Sequence, residues 1–273
     1  MTASFLRSCT DLLSSISWEL SLNLTEMSEM ARHRWYWRLH FAMARAYRGD
    51  RAVRVVAREA PAAALEEGQC IYGETPALSF LHMLSRVGVA GSTGYGRQRS
   101  FSSEGLPSGA FAEDGATESS GLASGEPLFG AQEVLFDLGC GRGLALLAAA
   151  LALPRIEAVG IEVLPTFVER GHVLATSLGV ADRVKFVAGD FRHQDVSRGT
   201  VFYAASTTFS SEVLDEIAAQ VARQTVQSGR SIRFITLSHP LLPPWKLCGK
   251  GRYPMTWGWN HVYFHVLDPI PLG

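Results

Sequence analysis

The chain has 273 residues, 47% of them hydrophobic and 19% charged, with a formal net charge of −1. That is enough chain for one α/β domain plus a helical accessory region. The near-zero charge excludes whole-chain attraction to nucleic acid or anionic membrane, so any basic partner-binding surface has to be local. The four cysteines, Cys9, Cys70, Cys140 and Cys248, lie far apart with no CxxC pair and no metal-ligand spacing. They fit reduced thiols in a cytosolic or nuclear protein, and no metal site is expected.

In chain order, Ser4 to Leu24 is apolar but interrupted by Arg7, Asp11 and Glu19. No run reaches the roughly 18–20 uncharged residues of a membrane span. The acids also argue against a secretory or transit segment, so an amphipathic helix is expected, with no membrane partner and no secretion. Met27 to Tyr47 carries Trp35, Leu39, Met43 and Tyr47 at helical spacing. Gly49-Asp50 breaks that pattern, and Asp50 is the expected N-cap of a helix over Arg51 to Glu59. Arginine is dense here, at Arg32, Arg34, Arg38, Arg45, Arg48, Arg51, Arg54 and Arg58. Such a segment is either a solvated helix face or a contact for nucleic acid or an acidic protein patch.

Residues 91–127 are rich in Gly and Ser and lack apolar periodicity, the composition of a flexible insertion. Insertions of this kind are more usual in eukaryotic proteins, which points the expected localisation to the nucleus, and otherwise to the cytoplasm. From residue 131 onward, β-rich runs at Val134–Leu138, Ala158–Ile161, Val184–Val187, Val201–Ala204 and Ile232–Leu237 alternate with helical runs at Leu144–Leu153, Pro165–Leu178 and Glu212–Thr225. A run from Trp257 to Val266 supplies late strands. The expected organisation is a helical N-terminal region over 1–90, the insertion over 91–127, and over 128–273 an α/β domain with a mostly parallel, seven-stranded, Rossmann-like sheet.

The chemistry concentrates at the first of those strands. Val134 to Gly143 reads as a hydrophobic strand running into Asp137, then Gly139, Cys140, Gly141 and Gly143, then an Ala/Leu-rich helix. Glycines there permit a tight turn and close backbone approach to a ligand at a helix N-terminus. The spacing is GxGxG, where a dinucleotide fingerprint has GxGxxG. Asp137 would repel a pyrophosphate but can hold the ammonium of a methionine moiety. Glu162 ends the second strand, where an acid can accept both hydroxyls of a ribose. Asp190 and Phe191 follow the third strand, where a carboxylate can accept from an adenine amino group and a ring can pack on the base. Together these predict an S-adenosyl-L-methionine site on a class I methyltransferase fold.

Three further stretches resemble the DOT-type (disruptor of telomeric silencing) lysine methyltransferases, which lack a SET domain. Ile71-Tyr-Gly-Glu-Thr75 is similar to that family's VYGET-like segment, Gly160-Ile-Glu162 and Gly189-Asp-Phe191 to its GVE and GDF segments, and Val201 to Val213 to its fourth-strand region. The resemblance implies that Tyr72, Glu74 and Thr75 contact the methionine end, Asp137 its amino group, Glu162 the ribose, and Asp190 with Phe191 the adenine. Tyr203 would line a lysine channel. Ala205 stands where the family has an Asn, with Ser206 or Thr207 as the replacement polar group, and Leu144 stands where it has a Gln. The implied activity is histone-lysine N-methylation on chromatin, with a histone or nucleosome as partner.

A lysine acceptor starts near pKa 10.4 and needs an apolar channel beside a sulfonium to lose its proton. His239 is a candidate general base for a different acceptor. Trp245, Tyr253, Trp257 and Trp259 either wall the acceptor channel or fill core. Two other functions stand beside lysine methylation: a class I methyltransferase for RNA or a small molecule, and a cofactor-binding interaction module with little catalysis.

Overall fold

The computed structural model describes residues 3–60, 73–89, 91–92, 133–225 and 229–269, with the side chains of the first helix from residue 17. The expected insertion, apart from its first two residues, lies outside them, as does Tyr72.

Five strands run parallel: β1 (Val134–Leu138), β2 (Glu157–Glu162), β3 (Val184–Ala188), β4 (Val201–Ala204) and β5 (Ile232–Leu237). A hairpin, β6 (Lys246–Met255) and β7 (Gly258–Leu267), completes the sheet in the order β3-β2-β1-β4-β5-β7-β6, with β7 antiparallel to β5. The chain winds outward from β1 to β3, then returns to place β4 on the other side of β1. That reversal leaves a crevice at the carboxyl ends of β1 and β4, where open α/β sheets bind ligands.

The expected run over Trp257 to Val266 is β7, but its partner β6 has little sequence signal. Gly249, Gly251 and Pro254 interrupt it, and a register shift falls between Leu247 and Gly249. Such residues are tolerated because β6 is the edge strand.

Helices cover both faces. One layer holds α1 (Ala3–Met30), α2 (Arg34–Ala46), α3 (Ala52–Glu59), α4 (Ala77–Arg86), α5 (Leu144–Ala152) and α6 (Pro165–Leu178). The opposite face carries α7 (Ser211–Thr225), with Trp245 and Leu241 filling beside it. The sequence of α5, LALLAAALA, is apolar all round because the sheet lies on one side and α2 and α4 on the other.

The N-terminal helices differ from expectation in two places. The pattern over Met27 to Tyr47 is split by a turn at residues 31–33, where the Trp37 indole donates to the Ala31 carbonyl at 3.0 Å. Asp50 does not cap α3; Arg51 holds that position without a side-chain bond, and Asp50 instead accepts from Arg170 at 2.6 Å. A carboxylate drawn to a guanidinium from another helix satisfies its lone pairs better than a single amide would.

Glu26 of α1 supplies a cap that the sequence did not announce. Its buried carboxylate accepts from the Leu78 amide at 2.8 Å, at the start of α4. Burial pushes this carboxyl up to about 7, against the backbone bonds that lower it. A raised carboxyl stabilises the fold below its unfolded value, and that contribution is lost as pH rises through about 7. Replacing Glu26→Gln keeps the acceptor and should flatten this part of the stability profile. Glu26→Ala should destabilise by about 1–2 kcal/mol near neutral pH. Denaturant melts of both variants across that pH range check this.

Candidate active site

β1 delivers Asp137 one residue before its end, paired across to Tyr203 on β4. The Asp137 carboxyl is buried, and no described residue donates a hydrogen bond to it. Burial, and then the neighbouring Glu162 charge, push it up to about 8. Glu162, at the end of β2, is also raised by burial, while its bonds from the Leu164 amide (3.0 Å) and the Gly141 amide (2.8 Å) pull it back. Two carboxylates are thus set beneath a glycine turn, and one of them takes no hydrogen bond from any described residue.

The turn is tight because its glycines take conformations that other residues avoid. Gly139 has φ +83 and Gly143, which opens α5, has φ +77. The Gly139 and Cys140 amides both donate to the Ile161 carbonyl, at 2.9 and 3.1 Å, which locks the turn onto β2. The Cys140 thiol is buried and pushed far up by burial and the two carboxylates, so it packs against Gly160 as an inert small side chain.

Beside Gly139 lies a pair of aromatic rings. A Cβ there would meet the Phe209 ring at 3.6 Å and the Phe191 ring at 3.9 Å, and the two rings sit 5.4 Å apart. Phe209 was not singled out in the sequence. It follows a polar Ser-Thr-Thr turn, and nothing local signals that this turn folds back over the glycine loop. Asp190 is half-buried and engaged with Arg192, accepting from its amide at 2.9 Å and its guanidinium at 2.6 Å. Burial raises this carboxyl, but the Arg192 bonds outweigh it and hold it below the ordinary value.

The segment over residues 73–75 clamps the other side. The Glu74 carboxylate takes the Arg142 guanidinium in a two-point ion pair, one arm at 2.8 Å. The Glu74 amide donates to the Thr256 hydroxyl at 2.9 Å, and the Thr256 amide returns a bond to the Glu74 carbonyl at 3.2 Å. Gly73 lies against the Trp257 ring, where a Cβ would come within 2.3 Å. Glu74 therefore reaches the glycine loop through Arg142. Tyr47 joins the same cluster, its ring 4.9 Å from the Arg142 guanidinium and 4.8 Å from that of Arg170.

The expected acceptor residues sit differently from their sequence reading. Tyr203 does not face an open channel: it is buried, its hydroxyl bonded to that of Thr75 and its ring 4.8 Å from Phe80. Ser206 is fully buried, and its hydroxyl donates to the Leu237 carbonyl at 2.6 Å while accepting from the Leu237 amide at 3.2 Å. That hydroxyl ties the ends of β4 and β5 together. Thr207 is exposed and joins Ser238 (3.1 Å) and Asn260 (3.1 Å) in a polar cluster that sequence reasoning missed, because its members come from three separate turns or strands. His239 is exposed, Trp245 and Tyr253 are core, and Trp257 and Trp259 remain partly exposed.

The strand order, with an antiparallel β7 inserted between β5 and β6, is the class I methyltransferase fold, a Rossmann-like arrangement. No family model matches the sequence, and no curated protein matches it. Among solved structures, an RNA methyltransferase from Salinibacter ruber, in complex with S-adenosyl-L-homocysteine, is 25% identical over 52% of this chain and 85% of its own, with a TM-score of 0.42. A geranyl diphosphate C-methyltransferase from Streptomyces coelicolor is 14% identical over 50% and 70%, with a TM-score of 0.39. A tRNA methyltransferase from B. subtilis is 12% identical over 50% and 61%, with a TM-score of 0.41. Likenesses this distant do not support membership of the DOT-type family, and the fold assignment rests on the strand order.

Proposed function

We propose that the chain is an S-adenosylmethionine-dependent methyltransferase. The observation that carries this is the Asp137 carboxyl, buried at the crevice of a class I sheet with no donor from any described residue. A ligand ammonium would supply that donor and restore the charge. The remaining residues fit the same ligand: the Glu162 carboxylate at the end of β2 is suited to a ribose diol, and Phe191 and Phe209, packed against each other beside Gly139, offer an aromatic surface on which an adenine ring could lie. The cofactor supplies an electrophilic methyl group. The chain's part is to orient that group and exclude water from it, with the Glu74–Arg142 clamp closing one side.

For the acceptor, we favour RNA or a small molecule with a neutral nucleophilic atom over the histone lysine that the DOT-type resemblance implies. A lysine channel needs aromatic walls that desolvate an ammonium. Tyr203 is engaged with Thr75, Ser206 with Leu237, and Ala205 carries no amide. What faces solvent beyond β4 is the neutral cluster of Thr207, Ser238 and Asn260, suited to hydrogen-bonding a polar ring edge or hydroxyl.

The test incubates the protein with methyl-labelled S-adenosylmethionine and, separately, total RNA, a metabolite extract, core histones and nucleosomes, with Asp137→Asn as the control. Label in RNA or metabolites, absent from the control, is the expected result. Label in a histone band would overturn the acceptor reading. Cofactor binding with no labelled product would leave an interaction module, and no binding at all would overturn the proposal.

A further inference from the structure

Residues 31–60 contain eight arginines, no lysine and two acids, in a chain whose net charge is −1. Both acids are committed: Asp50 to Arg170 and Arg58, and Glu59 to Arg58 and Thr166. The arginines are not scattered around the helix. Arg34, Arg38, Phe41, Arg45 and Arg48 follow one another at helical spacing and are all exposed, while Tyr36, Leu39, Met43 and Tyr47 form the buried stripe opposite. Arg38 reaches the Leu178 carbonyl at 3.0 Å. Arg34, Arg45 and Arg48 make no ion pair with any described residue. At 1.5 Å per residue the stripe is roughly 20 Å long.

We propose that this stripe is a binding surface for single-stranded RNA. Phosphodiesters carry one negative charge per nucleotide in a line, and a linear row of cations complements that arrangement. The exclusive use of arginine points the same way, because its planar fork matches phosphate oxygens at two points, whereas lysine serves a diffuse acidic surface or lipid headgroup as well. Phe41, 72% exposed at the centre of the row, is a platform on which a base can stack. A membrane-binding face would need several apolar neighbours, and the stripe has one.

The row lies on the exposed side of the helix, opposite the buried Tyr47 whose ring meets Arg142 of the glycine loop. That RNA held on the row is also the acceptor of the proposed methyl transfer rests on the reading given above; the binding itself does not.

The test measures anisotropy of a labelled, mixed-sequence single-stranded RNA of about 20 nucleotides, a length that spans several phosphate contacts, with the full chain from about 50 to 200 mM salt. Binding should weaken with salt, with a logarithmic slope of about −0.7 per phosphate neutralised. In Arg34→Gln/Arg45→Gln/Arg48→Gln the Kd should rise at least about tenfold and the slope shrink by about two units. Phe41→Ala should weaken binding about tenfold with the slope unchanged, which separates stacking from charge. Unchanged Kd and slope in the triple variant would overturn the proposal. So would polyglutamate or phosphatidylserine vesicles binding the wild type as tightly as RNA at the same salt. Calorimetry with S-adenosylmethionine on the same samples keeps the two readings apart: the triple variant should bind RNA more weakly and the cofactor as tightly as the wild type.

Discussion

Asp137→Asn is expected to weaken S-adenosylmethionine binding by a factor of about ten to one hundred while leaving the fold intact. A hydrogen-bonded charge pair in a buried site is worth about 1.5–3 kcal/mol, and every 1.4 kcal/mol is tenfold in affinity. The larger consequence is in pH. In the free protein, burial and Glu162 push Asp137 up to about 8, so most molecules carry a neutral carboxyl at pH 7. Only the ionised form holds an ammonium. The Kd should therefore rise about tenfold for each pH unit below that value, and binding should release about one proton. The ligand's amino group deprotonates in the same region, so affinity should peak near pH 8.

The variant removes both effects, leaving weak binding that is nearly flat with pH. Calorimetry in two buffers of different ionisation enthalpy measures the proton count directly. A Kd independent of pH from 6 to 8, with no proton released, would remove Asp137 from the role assigned to it. Stability supplies a control. A carboxyl raised by burial contributes stability at low pH that is lost as pH rises through its folded value, so the Asn variant should be no less stable than wild type above pH 8.

Gly143→Ala is expected to be the most destabilising single methyl in the glycine loop. Two costs add. The residue sits at φ +77, where a side chain meets its own carbonyl at about 1–2 kcal/mol. Its Cβ would also fall 2.5 Å from the Phe186 ring. That ring cannot retreat, because Gly171 of α6 lies on it with the same shortage of space, 2.6 Å for a Cβ. Overpacking of this kind costs about 1–3 kcal/mol. The total, about 3–4 kcal/mol, corresponds to a Tm lower by about 10 °C for a domain of this size. Gly141→Ala separates the terms: it has φ +53 but nothing within 4 Å, so only the conformational cost remains. Adding Phe186→Leu to Gly143→Ala should recover part of the loss. Equal Tm values for the Gly141 and Gly143 variants would mean that the contact with Phe186 is unimportant.

Several elements were legible before folding. Pro165–Leu178, Val201–Ala204 and Ile232–Leu237 coincide with their sequence reading, and the glycine turn lies between the strand and helix expected of it. Those features are written in local terms: apolar periodicity, proline at a helix start, and glycine where φ is positive. The order of carboxylates at the strand ends follows from the same local register, since Asp137 lies one residue before the end of β1 and Glu162 ends β2, both strands that the pattern delimits.

The partners of the side chains were not legible, because they come from distant parts of the chain. Tyr203 meets Thr75 across 128 residues, and Arg142 meets Glu74 across 68. Ser206 looked like an available hydroxyl until the end of β5 claimed it, and Asp50 looked like a cap until Arg170 was set beside it. Short polar side chains have several satisfactory partners in any extended sequence, and packing selects among them only once the elements are assembled. Backbone conformation is chosen residue by residue from a small menu. The commitments of a hydroxyl or carboxylate depend on which atoms the closed sheet brings within 3 Å.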